Sequence, residues 1–482
     1  MSTFFVDFHC HPSMKPYGKS FKQNPTGKNT TNRKSKNSLW HYDSPNLFEK
    51  GIQLLSGISK FTQADMCTLA YGDVRLICAS LYPIERGFFN NRLGDGKHSD
   101  LADSFITGVG MERVDFIQKN TNYFSDVQGE YDFYQQLDGL TVKTDSGNFK
   151  YVMVDSYDDI ENNLATTTGE QIIFIVLSIE GLHVLNSNIA TAPDKNSFLK
   201  NLQTIKAWRT APFFVTFSHH FYNHLCGHAK SLTDIVGGVT DQREGLNEGF
   251  TQLGKDVLRE VLSRQNGKRI LIDIKHMSAK GRKEYFKILE TEYGGQHIPI
   301  IVSHGAANGM RSMEEPVVDG KNTGFKLLAE DINFYDEEIV TLAKSDGIFG
   351  FQLDERRIAS KQTLQLTKHS LFINKIRHYR AELLWNQIRH IAELLDRHDL
   401  YAWNCMALGT DFEGIINPLN GYLTAETLVH LEEYIERYAY DYMNGPGKLL
   451  KPYNCITPAE IVNRVFHSNG LAFIKKYFTA DR

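Results

Sequence analysis

The sequence predicts an α/β chain folded as a (β/α)8 TIM-type barrel with insertions in its strand-to-helix loops, and three observations carry that prediction. Eight short apolar segments are separated by amphipathic helical stretches, the alternation of a parallel sheet with helical crossovers. The segments are mostly continuous apolar runs, as in strands buried on both faces. Six of the eight end in a residue able to bind a metal or move a proton. A barrel of this kind puts its active site at the carboxyl ends of its strands, so fold and site are predicted together.

Taken in order, the first segment is Thr3–Phe8, followed by His9-Cys10-His11, and the second is Val74–Tyr82. The third, Gln171–Ile179, ends in Glu180, and the fourth, Pro212–Ser218, ends in His219-His220. The fifth, Arg269–Lys275, ends in His276, and the sixth, Ile298–Ser303, ends in His304. The seventh is Gly347–Leu353, and the eighth, Met406–Thr410, ends in Asp411. Helices are expected over Gly254–Arg264, Asp336–Ser345 and Leu371–Arg397, where apolar positions recur at helical spacing. Three segments break the rhythm, about 15–40, 90–132 and 309–330. All follow strand ends, so they should gather over the active-site rim of one domain spanning residues 1–482. Within the first, Lys19–Ser38 is polar and nearly free of apolar residues, the composition of a mobile loop.

Composition narrows the partners. With 41% hydrophobic and 23% charged residues and a net charge of -4, the chain has no footprint for nucleic acid or an anionic membrane. No apolar run approaches the ~20 residues of a membrane-spanning helix. Neither a secretory leader nor an apolar tail is visible, so a cytoplasmic protein with no membrane partner is expected. A homodimer is compatible with the sequence. The six cysteines are scattered without a CxxC pair and read as reduced, buried residues. Strand alternation turns Cys10 away from the face shared by His9 and His11.

That shared face lets His9 and His11 converge on one ion, with Asp7 one step deeper to orient a ligand histidine. Glu180 closes an apolar run, where a carboxylate is costly unless a cation meets it. One carboxylate can span two divalent ions. His276 and His304 close adjacent strands aimed at the same mouth. Asp411 is placed to act as general base and then to return a proton to a leaving amine. His219 or His220 remains for the substrate, as a donor facing a developing oxyanion. Tyr82, at the tip of the second strand, is a further candidate for substrate contact. Imidazole and carboxylate donors without thiolate suit two divalent ions, zinc best, with manganese, iron or cobalt as alternatives.

These motifs bear a family resemblance. VDFHCH, SIEGLH, TFSHHFYNH, LIDIKHMS, IIVSHGAA and LGTDFEGI stand in the order and strand context of the membrane (renal) dipeptidase family of zinc peptidases, within the amidohydrolase superfamily, and the chain resembles that family over most of its length. Asn333-Phe334-Tyr335-Asp336 and Ser468-Asn469-Gly470 resemble further landmarks of it. The resemblance implies that His9, His11 and Glu180 hold one zinc and that Glu180, His276 and His304 hold the other. It implies that His219 stabilises the tetrahedral intermediate and that Asp411 shuttles the proton.

Two positions depart from the family pattern. His11 stands where the family has aspartate, although histidine there is usual in the wider superfamily. Ile332 stands where the family has an arginine that binds the dipeptide's carboxylate. Either another cation reaches that spot, with Arg311 the candidate and Arg356 and Arg357 the alternatives, or a free carboxylate is not required of the substrate. The function so implied is hydrolysis of a dipeptide amide by metal-bound hydroxide. Hydrolysis of another small amide such as an N-acyl amino acid is the alternative, and a catalytically silent binding barrel the remaining one.

Overall fold

Runs of Val, Ile, Leu and Phe cannot stay in water and are poor at turning, so they extend and bury. The computed structural model describes the chain apart from residues 1–3, 24–25, 47–48, 52, 54–60, 91–93, 95, 233, 316–326, 366–369 and 371 and the side chains of 234–236. It contains strands β1 (Phe5–Cys10), β2 (Val74–Leu81), β3 (Val142–Thr144), β4 (Gly147–Val154) and β5 (Gln171–Glu180). These are followed by β6 (Phe214–Thr216), β7 (Leu271–Asp273), β8 (Ile301–Gly305), β9 (Ile348–Phe351) and β10 (Met406–Leu408). Every residue of β1 is buried, as are nine of the ten residues of β5.

Eight of these strands pair parallel, each with the next in chain order, and β10 returns to β1 through Asp7 and Leu408. The result is a closed eight-stranded parallel barrel with surrounding helices, built from β1, β2 and β5–β10. The predicted strands are the barrel strands, with ends shifted by a few residues.

The β3–β4 hairpin has no counterpart in the sequence prediction. Strand β5 makes room for it by its length. On one edge β5 pairs with β2; on the other, Gln171–Val176 pairs with β4 and Ser178–Glu180 with β6. The long connection between β2 and β5 also carries helices Lys97–Thr107, Met111–Lys119 and Tyr123–Gln135. Its attachment is polar at the centre. Buried Arg113 makes a two-pronged ion pair with Asp126 at 2.7 and 2.8 Å, and its guanidinium packs on the rings of Tyr17, Phe21 and Phe116. Glu130 accepts from Ser13 Oγ at 2.5 Å and from the Tyr82 amide at 2.8 Å, pinning this insertion to the outlets of β1 and β2.

The segment Lys19–Ser38 differs from the expected mobile loop. Its polar side chains hold it in place: Asn29 donates to the Phe133 carbonyl of the helix Tyr123–Gln135 at 3.0 Å, and Asn37 closes the loop on itself by donating to the Lys28 carbonyl at 2.6 Å. Asn29, Asn37 and Ser38 are buried, so the polar composition serves turn bonds rather than hydration. Helices occupy Gln252–Leu262, Asp336–Lys344 and Ile373–Arg397, near the expected stretches; residue 371 lies outside the described residues. Much of the expected 309–330 insertion does too. No described helix is long and apolar enough to cross a membrane.

Two glycines let the barrel close tightly beneath its mouth. A Cβ on Gly350 of β9 or on Gly409 just after β10 would lie 2.0 Å from the Ser303 carbonyl oxygen, which passes between the two. No side chain fits there.

Candidate metal centre

The strand ends deliver their side chains to one point. Glu180, the last residue of β5, is buried, and its Oε1 has the Nε2 atoms of His9, His276 and His304 at 3.4–3.5 Å. Its Oε2 has His11 Nε2 at 3.2 Å and His219 Nε2 at 3.4 Å. Asp411 closes the ring, its Oδ1 3.6 Å from His11 Nε2 and 3.9 Å from His9 Nε2, and its Oδ2 4.0 Å from His304 Nε2. Two of these side chains reach the mouth only by leaving regular strand geometry. His276 has φ 65° and Asp411 φ 62°. Non-glycine residues uncommonly adopt such backbone, and such positions recur at functional sites. Alternation alone turns Asp273 and Lys275 inward, and the positive φ brings His276 inward after them.

The outer imidazole nitrogens decide what the inner ones can be. Ser303 Oγ donates its one proton to Asp273 Oδ2 at 2.6 Å. Its lone pairs then accept from His9 Nδ1 at 3.1 Å and His304 Nδ1 at 2.9 Å. His11 Nδ1 faces the Ser80 carbonyl at 3.1 Å and must donate, and His219 Nδ1 donates to Glu85 Oε2 at 2.9 Å. In their neutral forms, the rings of His9, His11 and His304 present a bare Nε2 lone pair to Glu180. Yet His9 and His11 Nε2 lie 3.1 Å apart, and those of His276 and His304 3.3 Å apart. Nitrogens that close are reconciled either by a shared proton or by a metal ion between them. Glu180 Oε1 itself has no hydrogen-bond donor among the described residues.

The donor set therefore fits divalent metal ions. Among the described residues, His9, His11 and Glu180 form one group able to hold an ion, and Glu180, His276 and His304 form another. Glu180 is common to both. Cys10 is buried and belongs to neither group.

The electrostatics agree with a place built for positive charge. Burial would raise Glu180, but His219, His9 and His11 hold it well below the usual carboxylate range. Burial lowers His11, yet Asp411 and Glu180 outweigh it and carry the imidazole up to about 10. Burial pushes His276 and His304 well below the ordinary histidine value and raises Asp411.

A cleft opens from this cluster, lined by His219, His220, Lys275, Gln352, Arg356, Arg357 and the strained turn Asp411–Ile416. His220 is braced by Ser231 Oγ at 2.6 Å from its Nδ1. Tyr82 lies behind the cleft rather than in it. Its hydroxyl donates to Glu85 Oε2 at 2.7 Å, and its ring packs edge-on to His219 at 4.7 Å. Arg311 is exposed and does not line the cleft, whereas Arg356 and Arg357 do. Asp7 touches no imidazole; it accepts from the His9 amide and from the Thr410 amide and hydroxyl, setting the strand ends instead of a ring.

Several polar residues escaped the sequence reading. Glu85 also accepts from the His220 amide at 3.0 Å and is held down to about 2 by His219 and His183 against its burial. Gln352 follows β9 directly, so the strand-end rule itself could have found it, whereas Glu85 lies four residues past the end of β2, beyond that rule's reach. Lys275 was hidden by its place beside His276.

Neither a protein-family model nor a curated protein matches the chain. Solved structures do. The dipeptidase AC, a metallopeptidase, is similar with TM-score 0.52 at 11% identity, over 100% of this chain and 100% of that one. A metallopeptidase from Rhodobacter sphaeroides, liganded with a phosphinate mimic of the dipeptide L-Ala-D-Ala, is similar with TM-score 0.50 at 11% identity, over 99% of this chain and 100% of that one. At such identity the likeness is one of fold: the chain has the barrel architecture of solved metallopeptidases.

Proposed function

We propose that the chain is a binuclear metal-dependent hydrolase that cleaves the amide bond of dipeptides. The observation that supports this reading is Glu180, one buried carboxylate common to two histidine pairs whose Nε2 atoms face each other at 3.1 and 3.3 Å, each group able to hold one ion. His9, His11 and Glu180 would hold one ion, and Glu180, His276 and His304 the other, with zinc best suited to the donors. Such ions supply Lewis acidity, polarising a carbonyl and acidifying water at neutral pH. Asp411 takes a proton from the attacking water and hands it to the leaving nitrogen. Burial lowers the proton affinity of His219, but Glu180 and Glu85 on either side of it outweigh burial and raise it; with Nδ1 donating to Glu85, its protonated Nε2 donates to the oxygen on which negative charge develops. The turn Asp411–Ile416 and Phe88 wall the cleft against bulk water.

One observation supports a second reading, an N-acyl amino acid as substrate. Of the acids lining the cleft, Glu180 and Asp411 belong to the centre and Asp354 is paired with Arg356 at 2.7 Å. A free α-amine therefore finds no spare carboxylate among the described lining residues. A panel of dipeptides and N-acyl amino acids, assayed after zinc reconstitution, separates the two readings. Dipeptide turnover is expected; turnover of acyl amino acids alone would favour the second reading, and turnover of neither would overturn both.

A further inference from the structure

Two polar side chains of the cleft have no part in the chemistry above. Lys275 is 1% exposed and Gln352 2%. Both line the cleft, and neither Lys275 Nζ nor Gln352 Nε2 has a hydrogen-bond partner among the described residues. A buried donor without an acceptor is costly, a buried ammonium most of all. Two such donors in one cleft mark a place where a ligand supplies the acceptor. The neighbouring cations are already engaged: Arg356 by Asp354, and Arg357 by Glu330 Oε2 at 3.1 Å and by the Ser231 carbonyl. Backbone geometry fixes both free donors beside the centre. Lys275 stands two residues past the end of β7 and directly before His276, while the Gln352 backbone N–H donates to the Gly305 carbonyl at 3.0 Å, next to His304.

We propose that Lys275 and Gln352 form a receptor for a free carboxylate on the substrate. The proposal rests on the hydrolase reading and gives it a substrate class: small amides whose leaving amine carries a carboxylate, dipeptides and N-acyl amino acids alike, but not amidated peptides. The Lys275 amine and the Gln352 amide N–H offer donors to both oxygens of a carboxylate. The pair does the work for which Ile332, itself buried and apolar, has no group.

The test uses a phosphinate dipeptide mimic and its C-terminal amide, titrated by calorimetry into the zinc-loaded full-length protein. The phosphinate addresses the centre in both probes, so their difference reads the carboxylate alone. Amidation is expected to weaken binding by about 10- to 100-fold, the range for a hydrogen bond to a charged group. Lys275→Met should close most of that gap at unchanged metal content. Gln352→Glu, which sets a like charge against the ligand, should reverse it and serves as the reading where Lys275→Met does not fold. Equal binding of acid and amide by the unsubstituted protein would overturn the receptor and leave the hydrolase reading standing. A gap that survives both substitutions would overturn the assignment to these residues. Binding of neither probe would overturn both proposals.

Discussion

Ser303 is a small residue with a large consequence. Because its hydroxyl proton goes to Asp273, it can only accept from His9 and His304, and two imidazoles on different strands are thereby set in the tautomer a metal needs. Glu85 fixes the orientation of the His219 ring through its Nδ1, with Tyr82 bracing the carboxylate from behind. Glu85→Ala should lower turnover by about 10- to 100-fold while metal content stays unchanged, since the ring is freed but the centre is not touched. Loss of metal together with activity would make Glu85 a structural support instead. Asp411→Asn should also retain metal and lose about 100-fold or more in kcat, through lost proton transfer; wild-type kcat would remove it from the reaction. The histidines and Glu180 were legible because titratable side chains at successive strand ends are improbable by chance. Ser303 and Asp273 were not, because a serine and an aspartate in a strand are ordinary until one knows which rings lie across from them.

At the scale of elements, the mouth depends on how closely β8, β9 and β10 approach. Gly409→Ala would drive a Cβ into the Ser303 carbonyl, and overpacking of this sort costs about 1–3 kcal/mol. The variant should melt at lower temperature and bind metal less tightly, because Ser303 carries two of the rings; an unchanged Tm with full metal content would show that the strands have slack. The insertion between β2 and β5 offers a pH-dependent test. Burial pushes Glu130 up to about 7. Its folded value is raised, so its contribution is fully present below the unfolded carboxylate value near ~4.3 and is lost as pH rises through about 7. Glu130→Gln, which carries no charge to bury, should therefore gain in Tm relative to the unsubstituted protein as pH goes from 5 to 8. A Tm difference constant over that range would show the carboxyl ionised throughout. The β3–β4 hairpin went unseen for a related reason. Gly147–Val154 mixes exposed and buried positions, the pattern of a strand on the barrel's outside, while the barrel strands declare themselves as continuous apolar runs.

Across the whole molecule, the order of eight strands was readable because each barrel strand follows the last in the chain and six of the eight end in chemistry. What could not be read was how insertions fold over the rim, since their polar side chains bond to distant carbonyls such as Phe133 rather than to neighbours in sequence. The closed barrel brings residues from His9 to Asp411 to one carboxylate, and the account stands on that convergence. Metal analysis of the purified protein, before and after chelation and zinc reconstitution, tests it most directly. About two ions per chain are expected, falling with Glu180→Ala because the two groups share that residue. Clean, folded protein that takes up no metal on reconstitution, or that keeps two ions without Glu180, would contradict it.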